Sequence, residues 1–256
     1  MSIFSAVDAA ERPDRALAYL DLTARTAAGM KHYAAVAYAL RHPDGFVLDV
    51  GCGAGHDLEL LADVGVAPLG VDPSAVLLDA ARTRTAPRQT PLVRATGEAL
   101  PFRDGSLGAA RIERVLMHVA EPSVILAETA CALRAGALLT VFEPDWDSFT
   151  VRGPAGDESA AWLAPVRHPG VGGRLCELVE NAGCDVLDRV EEESYWSRLQ
   201  VLERVLDLPA ALDRAIAAGR ISRDEAHRWL GAQKERDARG CFSSTIRKIL
   251  VVARKR

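Results

Sequence analysis

An acid and three closely spaced glycines follow an apolar run early in the chain. The stretch FVLDVGCGAG places Asp49 two residues before Gly51, with further glycines at Gly53 and Gly55. This pattern predicts a buried strand that turns sharply into a helix, where missing side chains let a ligand approach the backbone. We expect bare backbone amides to face that ligand. Cys52, between two of the glycines, is interpreted as a small residue that fits a crowded turn.

A second acid follows at the distance of one strand–helix–strand unit. The run PLGVDPS ends a short apolar segment at Asp72, which precedes Pro73. A carboxylate at the carboxyl end of a second strand can accept hydrogen bonds from both ribose hydroxyls of a nucleoside. A nicotinamide dinucleotide site would need its third glycine at His56, whereas the third glycine here is Gly55. The pattern therefore predicts a tighter turn that holds an amino acid and a nucleoside.

Apolar runs alternate with helical patterns along the chain, and this alternation predicts a doubly wound α/β fold of about seven strands. Residues 6–40 are predicted to form two helices that separate at Gly29. The segment 148–173 is rich in glycine, proline and charge, and it is predicted to be a long loop. A capping box at Ser222 and Glu225 predicts the start of a helix in an insertion before the last strand.

The glycine turn, together with ERVLMHVAEP further on, resembles class I S-adenosylmethionine-dependent methyltransferases of the small-molecule branch. The resemblance covers about 46–146 with good motifs. It implies a Rossmann-like methyltransferase fold with a mostly parallel seven-stranded sheet and an antiparallel last strand. It also implies that the cofactor is S-adenosylmethionine. The residues expected to hold this cofactor are Asp49, Gly51, Cys52, Gly53, Gly55, Asp72, Pro73, Thr96, Gly97, Glu98 and Glu113.

The sequence departs from the family pattern at two positions. Thr96 stands where family members commonly carry an acid against the adenine edge, and Gly108 stands where they usually show an aspartate. A threonine hydroxyl accepts a hydrogen bond from an exocyclic amine more weakly than a carboxylate does. These departures keep open a second interpretation, in which a cyclase, decarboxylase or isomerase binds the cofactor without transferring its methyl group.

Polar residues follow the fourth and fifth predicted strands, at the sheet edge where α/β proteins bind ligands. Five side chains there are candidates for contact with a substrate: Arg114, His118, Glu143, Asp145 and Trp146. His118 and, further along, His168 are the candidate catalytic acid–base groups. Local packing of His118 and structural capping by Asp145 are the competing interpretations.

Composition excludes several other classes. The formal net charge of −4 comes without a basic stripe, which argues against a nucleic-acid partner. No apolar run approaches ~20 residues, so no membrane span is expected. The five cysteines lack metal-ligand or disulfide spacing and the six histidines are scattered, so we expect reduced thiols, a cytoplasmic location and no metal.

The function predicted from the sequence is in-line methyl transfer from S-adenosylmethionine to a small-molecule acceptor, as in secondary metabolism. A regulatory module that binds the cofactor without turnover is a third possibility. We expect a monomer or homodimer with a single domain over 1–256. Within it we expect a helical cap at 1–42, a cofactor-binding core at 43–147 and a substrate half at 148–256, with a helical insertion at about 197–240.

Overall fold

The computed structural model describes residues 7–9, 14–24, 28–41, 45–153 and 156–256. A single sheet of eight strands organises these residues, with the order β3-β2-β1-β4-β5-β8-β7 and with β6 paired to β5. The strands are β1 (Phe46–Val50), β2 (Ala67–Asp72), β3 (Leu92–Arg94), β4 (Leu107–Glu113), β5 (Leu133–Gly153), β6 (Gly156–Ser159), β7 (Cys184–Trp196) and β8 (Ser244–Lys255).

Helices flank the sheet and form the segment before its last strand. They are α1 (Asp14–Thr23), α2 (Ala28–Arg41), α3 (His56–Asp63), α4 (Ala75–Thr85), α5 (Pro122–Ala132), α6 (Leu175–Asn181), α7 (Leu199–Leu206), α8 (Leu208–Ala217) and α9 (Arg223–Ala238). Among the described residues, every helix is too short or too polar to cross a membrane.

Strand direction confirms the predicted fold class. The five strands from β3 to β5 are parallel neighbours, and β8 runs antiparallel to both β5 and β7. Parallel strands end at one edge of the sheet, so the turns that follow β1, β2 and β4 lie side by side. The fold is therefore Rossmann-like with an antiparallel last strand, and β6 adds one strand to the seven that were predicted.

The predicted break between the first two helices is misplaced. In the described residues, α1 ends at Thr23 and α2 begins at Ala28, so Gly29 lies inside α2 rather than between the helices. A Cβ added at Gly29 would meet nothing within 4 Å, and one glycine on an exposed helix surface costs only about 1 kcal/mol. Burial of Met30 and Tyr38 against the sheet offsets that cost.

The predicted long loop at 148–173 is also wrong. Strand β5 continues to Gly153, and the short β6 pairs with it as a hairpin. Phe149 and Val151 alternate inward and are completely buried, which is the period of a strand. The high glycine and proline content marks the hairpin end and the 3₁₀ turns that follow, at 161–163 and 169–174.

The helical insertion occupies the predicted place, between β7 and β8. Helix α9 begins with the predicted capping box: Ser222 Oγ accepts from the Glu225 amide, and the Glu225 carboxylate accepts from the Ser222 amide. Helices α7 and α8 bury one apolar face against the same core as the sheet. Trp229 of α9 packs edge to face on Trp162 with ring centroids 5.4 Å apart.

A buried tyrosine fastens α2 to the sheet, and this gives the first prediction. The Tyr38 hydroxyl lies 2.6 Å from both the Ala110 carbonyl oxygen and Thr140 Oγ1. Tyr38→Phe removes these bonds, and we expect urea unfolding to show a loss of about 1–3 kcal/mol. Tyr33→Phe on the same helix is the matched control, because its hydroxyl bonds Asp188 at the surface. Equal effects of the two substitutions would contradict the predicted anchoring role of Tyr38.

Candidate active site

The glycine turn after β1 has the backbone conformation that its sequence requires. Gly51, Gly53 and Gly55 have φ values of +73°, +52° and +80°. A Cβ at Gly51 would lie 2.4 Å from Val115 Cγ2, and one at Gly55 would lie 3.1 Å from the Ala81 Cα. Larger residues are thus excluded by both conformation and space.

The expectation of bare amides in this turn is wrong. The amides of Gly51 and Cys52 both donate to the Val71 carbonyl, at 2.8 and 3.0 Å. The Gly53 amide donates to Asp72 Oδ2 at 2.9 Å, and the Gly55 amide donates to the Cys52 carbonyl. Buried amides need partners, and the adjacent strand supplies them. These four amides are therefore used within the protein, and the turn packs closely on Val115, Leu20 and Ala81.

Asp72 is the polar centre of this turn. Its carboxylate is buried and accepts from the amides of Gly53 and Ser74, each at 2.9 Å. Burial raises the pKa of Asp72, while these two amide bonds oppose the rise. Each carboxylate oxygen has two lone pairs, so an acceptor site remains on both oxygens for the two hydroxyls of a ribose.

A cavity of about 160 Å³, the turn cavity, opens beside the glycine turn. Nine of the predicted site residues line it: Asp49, Gly51, Cys52, Gly53, Asp72, Pro73, Glu113, Arg114 and His118. Burial raises the pKa of the Cys52 thiol, so this side chain serves as the small neutral residue that was predicted. The roles of the nine residues, cofactor binding for seven and contact with the substrate for Arg114 and His118, remain predictions.

The N-terminal segment covers the turn cavity. The sequence predicted a helical cap there but not which of its residues line the cavity. Tyr19 and Leu20 of α1 and Val7 of a 3₁₀ turn line the turn cavity. Beside Val7, the Asp8 carboxylate accepts from Ser74 Oγ at 2.5 Å and from the Ala75 amide at 2.9 Å. An acid at the first turn of a helix is favourable, so Asp8 holds the segment on α4.

A buried charge network underlies the turn cavity. Arg111 of β4 lies 3.5 Å from Asp49 Oδ1 and 3.4 Å from Asp57 Oδ2, and it also contacts Glu113. Lys31 of α2 pairs with Asp57 at 3.0 Å and with Glu113 at 2.8 Å. The network joins α2, β1, α3 and β4 at the carboxyl edge of the sheet.

The charges in this network are strongly coupled. Burial raises the pKa of Asp49 to about 7, against the opposing effect of Arg111. Burial also disfavours the ionised form of Asp57, but the cations Arg111 and Lys31 prevail and hold the pKa of Asp57 below its usual range. Although burial disfavours the Arg111 cation, the surrounding carboxylates raise the pKa of Arg111. Arg111 and Lys31 thus compensate acids that would otherwise be costly to bury.

The loop after β4 carries Arg114 and His118 into the site. Arg114 has φ +55°, a left-handed conformation that is rare outside glycine and is enriched at functional sites. Its guanidinium pairs with Glu113 at 3.2 Å and donates to Thr23 Oγ1 at 2.7 Å. Burial and nearby Arg114 lower the pKa of His118 to about 3, so His118 is neutral at physiological pH.

Glu143, a predicted substrate contact, lies behind this loop. Its side chain is fully buried in the middle of β5, and Oε1 accepts from the Leu116 amide at 2.6 Å. Its second oxygen has no hydrogen-bond partner in the described part of the chain. Burial raises the pKa of Glu143 to about 8, against its bonds to the Leu116 and Val115 amides. Through this hydrogen bond, Glu143 holds the loop after β4 in place.

A second cavity, the helix chamber, adjoins the turn cavity. It has a volume of about 440 Å³ and lies among α1, α7, α8 and the end of β5. Tyr19 and His118 line both cavities. Trp146 forms part of the chamber wall, and its indole Nε1 has no partner among the described residues. Most of the chamber surface is apolar, although charged side chains such as Glu203 and Asp207 also line it, and Trp146 adds an unused donor.

Other predicted residues lie outside the two cavities. Gly55 packs on α4, and the run after β3 (Thr96, Gly97 and Glu98) does not border the turn cavity. Asp145 pairs with Arg247 at 3.0 Å, which fits its structural interpretation. His168 Nε2 lies 3.0 Å from the Val119 carbonyl oxygen and 3.1 Å from that of Ala120. This placement favours a role for His168 in holding the loop.

The charged residues that line the turn cavity suit S-adenosylmethionine. At Gly53 the turn faces α1, since a Cβ there would lie 3.1 Å from Leu20 Cδ1. Asp72 can accept from ribose hydroxyls, and Asp49 and Glu113 line the part toward His118. Carboxylates favour the ammonium and sulfonium charges of this cofactor, and Arg114 favours its carboxylate.

Comparison with known proteins agrees with this match. Residues 48–141 match a family model described as a methyltransferase domain. An uncharacterized 37.1 kDa protein in a Streptomyces fradiae transposon is 36% identical, over 94% of this chain and 71% of that protein. An uncharacterized methyltransferase of Mycolicibacterium gilvum (strain PYR-GCK) is 38% identical over 39% of each chain, so the aligned part is about two fifths of that relative.

A solved structure shows the same fold. A protein from Bacillus halodurans C-125, described as a methyltransferase, has a TM-score of 0.60 and 16% identity, over 86% of this chain and 98% of that one. The chain belongs to the class I S-adenosylmethionine-dependent methyltransferases. This assignment confirms the predicted family, the enzyme class and the cofactor.

The buried Glu143 predicts a dependence of stability on pH. Its folded pKa of about 8 exceeds the ordinary 4.5, so between these values the native carboxyl holds a proton that the unfolded chain has released. Stability therefore falls as pH rises, by up to about 1.4 kcal/mol per pH unit. In Glu143→Gln this contribution is absent, so urea unfolding should show the variant gaining stability relative to the parent from pH 5 to 8.

The control is Glu128→Gln, which replaces a half-buried carboxylate that also accepts a backbone amide, that of Leu100. This control measures how stability changes when a carboxylate that is not fully buried is lost. A stability difference between Glu143→Gln and the parent that stays constant from pH 5 to 8 would refute the protonated state of Glu143.

Proposed function

We propose that the chain transfers the methyl group of S-adenosylmethionine to a small-molecule acceptor that binds in the helix chamber. The observation that carries this proposal is the common wall of the two cavities at Tyr19 and His118. A donor in the turn cavity and an acceptor in the chamber would meet at that wall. The chamber volume of about 440 Å³ falls in the range of small-molecule sites.

The protein's contribution is positioning and exclusion of water. The bound cofactor supplies an activated methyl donor, so the acceptor needs alignment more than it needs activation. Asp72 would orient the ribose, and Glu113 and Arg114 would orient the amino-acid end. Tyr19 and Leu20, from α1 above the turn cavity, would keep water from the reacting groups.

His118 is suited to orienting the acceptor, rather than to strong general-base catalysis. With a pKa of about 3, its imidazole is neutral at physiological pH and takes up a proton poorly. A neutral imidazole can still accept a hydrogen bond from an acceptor hydroxyl or amine. We propose that an acceptor either loses its proton to solvent or has a nucleophile that needs no base.

Product analysis distinguishes methyl transfer from the two other interpretations. The purified chain would be incubated with methyl-labelled S-adenosylmethionine and a panel of apolar hydroxyl, amine and carbon acceptors. We expect labelled product and an equal amount of S-adenosylhomocysteine. A product of altered structure without label would favour a cyclase, decarboxylase or isomerase. Cofactor binding without any turnover would favour a regulatory module.

Asp72 gives a direct test of the proposed cofactor site. Asp72→Asn keeps the shape of the side chain but removes the charge that strengthens its bonds to ribose. We expect the affinity for S-adenosylhomocysteine, measured by calorimetry, to fall by about 10-fold or more. Asp79→Asn is the matched control, because Asp79 lies exposed on α4 and pairs with Arg82. Unchanged affinity in Asp72→Asn would refute the placement of the nucleoside.

A further inference from the structure

Beyond the helix chamber lies a third cavity with an unusual charge. It has a volume of about 520 Å³ between α8 and the segment 162–167, and we call it the arginine cleft. Three arginines line it: Arg167, Arg214 and Arg220. Among the described residues along this cleft, no aspartate or glutamate accompanies them. A concave surface lined by one sign of charge attracts ions of the opposite sign.

The arginines of this cleft are not used in ion pairs within the protein. In the described part of the chain, Arg167 and Arg214 have no carboxylate within 4.0 Å, and Arg220 donates only to the Trp162 carbonyl at 3.4 Å. Asp207 is close enough to act on Arg214 electrostatically, but it pairs with Arg15 at 3.3 Å. The donors of the guanidinium groups therefore remain available to a ligand.

Arg214 lies at the junction of the two cavities. His118, Pro165, Val166 and Arg214 line both the helix chamber and the arginine cleft. A ligand that binds in the chamber beside His118 would thus also reach Arg214. Arg214 is only partly exposed, and burial lowers its pKa against the influence of Asp207. A partly desolvated cation without a direct ion pair is stabilised by an anionic ligand.

We propose that the arginine cleft binds an anionic oxyacid group, carboxylate or phosphate, at the end of the acceptor remote from the methylated atom. The planar guanidinium fork suits both groups, because it donates two parallel hydrogen bonds. Trp162 supplies an apolar wall beside the cations and is braced by Trp229. The acceptor is then an amphiphile with an apolar body. Its assignment as acceptor rests on the proposed function, while the anion site itself does not.

The test uses the full chain and three probes with the same apolar tail: octyl phosphate, octanoate and octan-1-ol. Trp146 and Trp162 line the chamber and the cleft, so intrinsic tryptophan fluorescence reports binding. We expect one or both anions to bind at least about tenfold more tightly than the alcohol. Added salt should weaken binding of the anions and spare the alcohol. The stronger of the two anions identifies phosphate or carboxylate as the natural group.

The variants are Arg214→Gln and Arg220→Gln, with Arg228→Gln as the matched control. Arg228 is exposed on α9 and lines none of the three cavities. We expect Arg214→Gln to weaken binding of the preferred anion at least about tenfold, Arg220→Gln to weaken it less, and Arg228→Gln to leave it unchanged. Equal affinity for the alcohol and both anions, or unchanged anion affinity in Arg214→Gln, would overturn the proposal.

Calorimetry with S-adenosylhomocysteine on the same samples separates this inference from the proposed function. Arg214→Gln that retains cofactor-product affinity while losing the anion supports the arginine site, because the fold and turn cavity are then intact. A parent chain that binds octyl phosphate through Arg214 but methylates no acceptor refutes the proposed function and supports the anion site. A chain that methylates uncharged acceptors as efficiently as anionic ones overturns the assignment of the bound anion to the acceptor, and leaves the proposed function intact.

Discussion

Charge compensation at the carboxyl edge of β1 and β4 is the constraint on which this structure depends. Arg111, inside a buried strand, is surrounded by the carboxylates of Asp49, Asp57 and Glu113, and Lys31 reaches two of these acids from α2. A buried charge is tolerated only where partners compensate its loss of hydration, and removal of one partner typically costs several kcal/mol. The network therefore fixes α2, the glycine turn and the loop after β4 relative to one another.

Because these cations compensate the acids, the turn cavity keeps its carboxylates without a large loss of folding stability. Asp49 and Glu113 face the cavity on one side and the cations of the network on the other. Asp72 is held separately, by the amides of Gly53 and Ser74. A site of this kind is preorganised for a ligand that has hydroxyl groups and positive charge, because its acids are already oriented. The helix chamber, which is proposed to hold the acceptor, differs, since it leads to arginines without ion pairs.

The fold, and the glycines and acids beside the turn cavity, could be predicted from the sequence, because both depend on local patterns. The glycines need left-handed backbone, and Asp72 follows its strand directly, so their spacing carries the information. Asp57 and Arg111 were missed because their role arises from contacts between distant elements. A charged residue inside an otherwise apolar strand, as at Arg111, was the available signal. The hydrogen bonds of the turn amides could not be predicted either, because Gly51 and Cys52 donate to the Val71 carbonyl of the neighbouring strand.

The acceptor half could not be predicted because its walls come from segments far apart in the chain. Helix α1, the segment 162–167 and the insertion meet only in the folded structure. Glu143 illustrates the difficulty, since its position at a strand end suggested contact with substrate while its carboxylate faces the backbone of the loop above. Periodicity located the insertion and its cap but carried no information on which face of it lines a cavity.

The most direct measurement is a crystal structure of the chain with S-adenosylhomocysteine. The account predicts that the ribose hydroxyls contact Asp72 and that the sulfur lies at the wall formed by Tyr19 and His118, facing the helix chamber. An adenosine bound away from Asp72, or a sulfur that faces away from the chamber, would contradict the central claim that the two cavities meet at the point of transfer.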